Sequence, residues 1–495
     1  MKLINLLESL AFYRTTRPID HHLEIAAIEV DSRKVSPGSL FVCIKGFTVD
    51  GHDFVKEALD NGASAIIAEK EMTLPESVPV IYVSDTKRAL AMLAVRFYQQ
   101  PTKELQLIGI TGTNGKTTIT YLLETIFKAN QRRTGVIGTI QMKINDQTIE
   151  TNNTTPDALN LQKVFRQMSD ENVDIAMMEV SSHALDQGRV FGCHFDTAIY
   201  TNLSQDHLDY HKDMDDYLRA KSLLFSQLGN HYQSDQKQFA IINEDDAASG
   251  LLKKSTAQHV ITYGYRNHAD IMAKNVELHI DHTSFQLDTP VGTIDIKSRL
   301  IGLFNVYNML AAASAAICHH VSLQTIKEAL ESMTGVDGRF EPVVAGQDFG
   351  VIVDYAHTPD SLENVLTTIQ EFANKRIAVV VGCGGDRDRS KRPLMAQIAV
   401  KYADEAIFTS DNPRTEDPDR IIEDMIQGLN PDETNYTVIV DRKKAIDYAI
   451  QKADSADIVL IAGKGHETYQ QIGTEKIHFD DREIATEAIK HKGNR

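Results

Sequence analysis

Short apolar runs recur along this chain, each bounded by polar or glycine-containing turns, and between them lie stretches whose apolar positions repeat every three or four residues. In the first hundred residues SLFVCI (39–44), SAIIAE (64–69) and VPVIYVS (78–84) read as strands, and HDFVKEALDNGA (52–63) and KRALAMLAVRFYQQ (87–100) as helices. That alternation predicts a small α/β unit closing at Pro101. LQLIGITG (105–112) then reads as a buried strand feeding a glycine-rich turn and the amphipathic helix TTITYLLETIFKAN (117–130). VDIAMMEV (173–180), FDTAIYTNL (195–203) and QFAIIN (238–243) continue the theme, with helices between them, as far as SLQTIKEALESM (322–333). GVDGRFEPV (335–343) supplies glycines and a change of direction.

Beyond it VIVDYAH, RIAVVVGCGG, EAIFTSDNPR and DIVLIAGKG each run from a strand into a polar or glycine-rich loop. A parallel sheet with its site at the C-terminal strand ends produces this pattern. The expected architecture is α/β in three domains: a small N-terminal α/β domain (1–101), a central P-loop parallel-sheet domain (102–336) and a Rossmann-like C-terminal domain (337–495). Length agrees, because 495 residues exceed what one core organises and a prior of about 150 residues per domain gives roughly three.

Composition changes the picture in two ways. A formal charge of −18 repels nucleic acid and anionic membrane at long range, so anionic substrates must be held by local lysines, arginine forks, helix N-termini or magnesium. The four cysteines, Cys43, Cys193, Cys318 and Cys383, are too scattered for a redox pair or a zinc site and read as buried, reduced thiols. Glu8 interrupts the apolar start MKLINLLESLAFYR, and about 18 apolar residues never run together, so a cytoplasmic protein without membrane insertion is expected.

The strongest local signal is Thr111–Thr118, TGTNGKTT, set between strand and helix. Backbone N–H groups of Gly112, Thr113, Asn114, Gly115 and Thr118 can wrap phosphates, Lys116 can reach the outer ones and the Thr117 hydroxyl can hold Mg²⁺. Strict Walker spacing would need glycine at 110, which is Ile110, so the loop is a variant. Residues 151–157 (TNNTTPD) read alone as a helix cap with Pro156 in the first turn. Glu179, ending a buried strand before Ser181 and His183, suits a Walker-B-like acid or merely a charged strand end. Asp206–His211 concentrates imidazoles and carboxylates that can complete a metal site, although loop histidines are more often solvated. Lys221 reads in isolation as a snorkelling surface lysine, and Asn305 as a cap or nucleobase contact. Arg339 and Asp354 flank the domain junction, as nucleotide contacts or as an ordinary salt bridge. Gly382–Arg389 lacks the third glycine of a dinucleotide fingerprint, since 387 is Arg387, which excludes NAD binding. Asp411–Arg414 offers a guanidinium fork for carboxylate, and Gly463–Glu467 lacks the Lys-Ser/Thr ending of a phosphate loop and is assigned to substrate.

TGTNGKTT, TTPD, EVSSHAL, TNLSQDHLDYH, GLFNVYN, GRFE, DYAHTPDS, GCGGDRDRSKRP, SDNPR and AGKGHE occur in the order and spacing of the Mur ligases, and with DSRKVSPGSLFV (31–42) the resemblance spans nearly the whole chain. It implies a UDP-sugar-binding first domain, an ATP-binding second and an amino-acid-binding third. By resemblance, Ser32 contacts the uridine end, and Asn153, Thr154, Thr155, Ser181, Gln187 and Arg189 hold a UDP-N-acetylmuramoyl dipeptide. Lys221 matches a lysine carbamylated by CO₂, Thr117, Glu179 and His207 match magnesium positions, and Asn305 and Arg339 match ATP contacts. Asp411, Asn412, Pro413 and Arg414 resemble the branch that adds meso-diaminopimelate, with Arg387, Gly463 and Glu467 completing its pocket. The implied activity is ATP-dependent amide ligation through an acyl phosphate by a monomer, with Lys116, Lys221 and His207 as the catalytic set. An L-lysine-adding or folylpolyglutamate-synthase-like ligase is the alternative within the class, and a non-ligating ATP switch the alternative outside it.

Overall fold

Alternation along single strands shows how the N-terminal sheet is covered. In the computed structural model, which describes residues 1–46, 49–72, 74, 78–149, 153–232, 237–279 and 282–493, Leu40 and Val42 face one core with Leu3, Leu7 and Leu93, while Phe41 and Cys43 face another with Val55 and Ala58. Both faces are buried, which is why the strand reads as continuous apolar sequence. The sheet order is Arg14–Thr15, Val80–Tyr82, Ala63–Ala68, Ser39–Val42, Ala27–Glu29, parallel except for the first edge.

The chain forms two compact units. The first holds Met1–Gly109, Arg132–Thr197 and Tyr232–Gln238; the second holds Ile110–Gln131, Ala198–His231 and Phe239–Arg495. Besides the N-terminal sheet, the first unit carries strands in the order Gln106–Thr111, Ile175–Glu179, Thr134–Ile137, Met142–Ile144, Gln147–Ile149. Its helices Thr86–Phe97 and Ala158–Asp170 pack together. The second of these is capped by Asp157, whose carboxylate accepts the N–H groups of Leu159 and Asn160. Pro156 therefore precedes the cap, and the expectation of a first-turn proline is corrected: an aspartate one residue later offers the acceptor that proline lacks. Thr151 and Asn152 of that segment lie outside the described residues.

In the second unit the end of Gln106–Thr111 is followed across the sheet by Thr197–Tyr200, Phe239–Asn243, His259–Gly264, Ile271–Leu278, Thr283–Thr289 and Gly292–Ser298. The helix Lys116–Ala129 packs on Leu303–Cys318 and Leu323–Ser332. A separate sheet runs Glu341–Pro342, Gly350–Asp354, Ile458–Ala462, Ile377–Val381, Glu405–Phe408, Tyr436–Val438, parallel but for the first edge. Val379, Val381 and Leu460 point to one core and Ala378, Val380, Ile407 and Ile461 to the other, the two-sided burial that its apolar runs predict. Its C-terminal strand ends carry the loops after Asp354, Val381, Phe408 and Ala462. All four cysteines are free, and burial pushes each thiol up to about 12.

Candidate active site

The glycine-rich loop is built by close approach. Gly112 (φ +146°) leaves no room for a Cβ, which would collide with the Thr201 hydroxyl, and Gly115 (φ +89°) is pressed against the Asn308 amide oxygen. Only glycine adopts these angles without strain and admits these neighbours. The loop is tied further by Thr113 N–H to Asn202 O (2.9 Å) and Asn114 N–H to Asn202 Oδ1 (2.9 Å). Lys116 opens the helix, and its Nζ donates to Gly112 O (2.9 Å) and Thr113 O (2.8 Å). With the N–H groups of Thr113 and Asn114 taken by Asn202, it is the start of the helix Lys116–Ala129 that offers N-terminal N–H groups to an anion.

Behind the loop, Lys221 is 1 % exposed, which overturns the surface-lysine alternative. Burial first, and the charge of Lys116 second, push its amine well below the ordinary lysine range, against an opposing pull from Asp206. Its Nζ lies 4.2 Å from the centroid of the Tyr217 ring, whose hydroxyl is 3.3 Å from Thr113 Oγ1. His207, in the left-handed region (φ +57°), gives its N–H to Asp206 Oδ1 (2.9 Å) and packs edge-on to Tyr217. Burial opposes the charge of Asp206, yet His207, Lys391 and His357 together hold that carboxyl well below the usual range. Lys391 Nζ stands 3.8 Å from Asp206 and links this cluster to the loop after Val381.

A cavity of about 460 Å³ opens beside the glycine-rich loop, lined by Asn114, Tyr263, Tyr307, Asn308, Arg339 and Asp360 among others. Asn114 Nδ2 donates to Asp360 (2.9 Å), and Arg339 Nη2 reaches Thr117 Oγ1 (3.3 Å) from above the Tyr355 ring. Asp354, pushed up to about 6 by burial, accepts the Phe340 N–H (2.6 Å) and so ties the strand end to the arginine's loop. Asn305 is buried, donating to Ile301 O (2.9 Å) and accepting from Asn308 (3.1 Å). It therefore supports Asn308, the residue that lines the cavity, and the helix cap is Gly302. The first unit has a larger hollow of about 650 Å³ between Glu8, Arg88, Arg96 and Phe191, which contains none of the loop residues and no concentration of chemistry.

The loops carrying Arg387, Asp411–Arg414 and Gly463–Glu467 follow strands of the C-terminal sheet at their C-terminal ends. Arg414, at φ +51°, is clamped by the hairpin Tyr469–Ile472/Glu475–His478: its N–H donates to Gln471 O (3.1 Å) and its carbonyl accepts Gly473 N–H (2.7 Å). Its Nη1 donates to Gly385 O (2.7 Å). Arg387 is exposed on the same glycine-rich loop. Asp411 and Asn412 are buried, Pro413 turns the chain, and Asn412 Nδ2 donates to Glu467 Oε2 (2.8 Å). Gly463 (φ +115°) lies against the Asp411 carboxylate.

In the first unit Glu179, Thr154, Thr155, Ser181, Gln187 and Arg189 form their own cluster. Glu179, 1 % exposed, accepts the N–H and hydroxyl of Thr139, both at 2.9 Å. Thr139 Oγ1 is 3.0 Å from Thr154 Oγ1, and Thr155 Oγ1 donates to Glu179 O (2.8 Å) and accepts Ser181 N–H (3.1 Å). Arg189 donates to Thr155 O (2.9 Å) and to Gln187 Oε1 (3.1 and 2.8 Å). Asn153 is exposed beside this group. Ser32 belongs to the N-terminal sheet's surroundings, where its hydroxyl donates to Glu57 (2.8 Å). Sequence reading offered the amides of GLFNVYN, Asn308 among them, as caps or nucleobase contacts, and gave no role to Tyr307, Asp360, Tyr217 or Lys391. Only the fold shows that Asn308, Tyr307 and Asp360 line the cavity; Lys391 falls within GCGGDRDRSKRP, and Tyr217 stands in a helix with no local signal.

A glycine-rich strand-to-helix loop, a buried lysine behind it and polar, glycine-bearing loops at the strand ends of a following sheet go with a three-domain ligase fold, and the chain belongs to the Mur ligase family. It matches the Mur ligase family catalytic domain over 24–98, the Mur ligase middle domain over 110–316 and the glutamate ligase domain over 338–465. It is 61% identical over 493 residues, covering 100% of both chains, to a UDP-N-acetylmuramoyl-L-alanyl-D-glutamate–2,6-diaminopimelate ligase of Oceanobacillus iheyensis. A protein of the same name from Bacillus velezensis is 56% identical over 492 residues, 99% of each chain. A solved structure of a ligase so named superposes with a TM-score of 0.69 at 35% identity, covering 100% of both chains. The chain is thus a ligase of three-domain Mur architecture. Among the described residues no helix is long and apolar enough to cross a membrane.

Proposed function

We propose that this ligase joins meso-diaminopimelate to the D-glutamate of UDP-N-acetylmuramoyl-L-alanyl-D-glutamate at the expense of ATP, making a peptidoglycan precursor in the cytoplasm as a monomer. The relatives' names support the substrates, and one observation carries the chemistry: Lys221, buried behind the glycine-rich loop, packs on Tyr217, whose hydroxyl meets Thr113, and lies in the field of Asp206, which pairs with Lys391. Residues 1–101 would hold the UDP-sugar, 102–336 ATP and 337–495 the amino acid.

A carboxylate resists an amine because oxide is a hopeless leaving group. Transfer of the ATP γ-phosphoryl group to the D-glutamate carboxylate gives an acyl phosphate and ADP; the amine then attacks the acyl carbon and phosphate departs with the carboxylate's oxygen. Lys116 and the N–H groups at the start of its helix hold the phosphates and offset charge as it develops. Asn308 and Arg339 flank the nucleotide. Thr154, Thr155, Ser181, Gln187 and Arg189 orient the dipeptide, and Ser32 the uridine end. Arg414 and Arg387 read carboxylate, while Gly463, Asn412 and Glu467 engage the distal amino-acid centre. L-lysine, lacking the second carboxylate, would leave the Arg414 guanidinium without its substrate partner, and a site built on such a partner rejects the analogue by about 10⁴.

Among the described residues no three His, Cys, Asp or Glu side chains cluster into a metal site. The residues do fit magnesium if Lys221 is carbamylated, because burial shifts Lys221 toward the uncharged amine, the form that attacks CO₂ and loses a proton to become an oxygen donor. Thr117, His207 and the Lys221 carbamate would then hold Mg²⁺, with Glu179 in the role its family position implies. The ion supplies charge neutralisation on the phosphoryl oxygens. Purified protein given ATP, the UDP-muramoyl dipeptide and each amino acid in turn tests the reading. Meso-diaminopimelate should drive ADP release and a tripeptide product; release driven by L-lysine, by glutamate on a folate, or without any amine would replace it with the corresponding alternative.

A further inference from the structure

Lys464 is 0 % exposed, an unusual place for an ammonium, and the phosphate chemistry does not use it. Taking such a charge out of water is costly and is tolerated only with excellent partners. Those partners are on the amino-acid loops. Its Nζ lies 2.9 Å from Glu467 Oε2 and 3.2 Å from Asn412 Oδ1, and Asn412 Nδ2 donates to the same Oε2 at 2.8 Å. Asn412 Oδ1 is itself fixed by the Gln471 N–H (2.9 Å), and the Glu467 N–H closes the turn onto Lys464 O (3.0 Å). One carboxylate oxygen therefore takes two donors, one of them charged, while Oε1 accepts no hydrogen bond among the described residues, and the Glu467 side chain is 14% exposed.

Free carboxylates rotate and flip between equivalent oxygens, and an ammonium ligand gains little from one that must be ordered on binding. We propose that Lys464 is a positioning residue for the distal amino group of the incoming diamino acid: by pinning Oε2 of Glu467 it presents Oε1 to the substrate ammonium. Selectivity at the far end then divides in two, with Arg414 reading the carboxylate and the Lys464–Glu467 pair the amine. This rests on the reading of Gly463–Glu467 as the amino-acid subsite.

The test compares meso-diaminopimelate with 2-aminopimelate, which keeps the distal carboxylate and lacks the distal amine. In Lys464→Met the KM for meso-diaminopimelate should rise about tenfold with kcat little changed, while the KM for 2-aminopimelate barely moves, so that the preference collapses. Equal losses on both substrates, or an unchanged preference, would overturn the role. If the single variant does not fold because Glu467 is stranded, Glu467→Gln is compared with Glu467→Gln/Lys464→Met, in which both charges are gone. Equal preference in those two supports action through Glu467, and a further loss in the double variant refutes it. Wild-type protein that ligates neither amino acid fails at the subsite reading, before any variant is made, and removes the premise of this inference.

Discussion

Gly115–Lys116 and Gly463–Lys464 both follow a buried parallel strand, yet the first lysine begins a helix of 14 residues and the second begins a turn into a hairpin. Lys116 is half-buried and turns its ammonium onto the carbonyls of its own loop, while Asn202 takes the N–H groups of Thr113 and Asn114. Lys464 is sealed inside and spends its charge on Glu467. The element downstream of each Gly-Lys pair decides its chemistry: a helix supplies aligned N–H groups and a dipole for phosphate, and a turn does not.

Replacing Lys116 by Ala is expected to separate the two lysines most sharply, lowering kcat by about 10³ while leaving amino-acid preference intact. A variant with unchanged turnover, measured by ADP release, would mean that this loop does not handle the transferred phosphoryl group. Next in size is Arg414→Ala, for which kcat/KM with meso-diaminopimelate should fall about 100-fold with the preference over L-lysine narrowing; Arg414→Lys should rescue little, because an ammonium cannot replace the fork. Asn308→Ala should raise the KM for ATP about tenfold by removing a cavity-lining amide, with the amino-acid KM unmoved.

The smallest effect is on stability. Burial, then the charge of Lys391, lowers His357 to about 4. An unfolded histidine titrates near 6.5, so between about 6.5 and 4 the unfolded chain binds a proton there that the folded chain refuses. This contribution is fully present above about 6.5 and lost as pH falls to about 4. Denaturant unfolding at several pH values should show His357→Gln with an acid-side slope shallower by about one proton. An unchanged slope would place the imidazole in contact with water.

The glycine-rich loop was legible because its signal is local, a strand, glycines and an amphipathic helix within about twenty residues. Asp411–Arg414 and Gly463–Glu467 each follow an apolar run, but their assignment to substrate came from the resemblance and, for the second, from the missing Lys-Ser/Thr ending. Of the amides in GLFNVYN the sequence did not say which faces the cavity, since the Gly115 that Asn308 meets is far away along the chain. The strands Ile271–Leu278, Thr283–Thr289 and Gly292–Ser298 also escaped the apolar-run criterion, because a sheet exposed on one face alternates lysine, aspartate and threonine with its buried residues. Lys221 shows the limit most clearly: burial, not sequence, pushes the amine of a lysine on a helix well below its ordinary range.

Oxygen tracing addresses the acyl phosphate itself. With ¹⁸O in the D-glutamate carboxylate of the muramoyl dipeptide, ligation through an acyl phosphate at the Lys116 loop must deliver one labelled oxygen into the phosphate released with each tripeptide. Unlabelled phosphate accompanying full tripeptide formation would mean that the carboxylate is never phosphorylated.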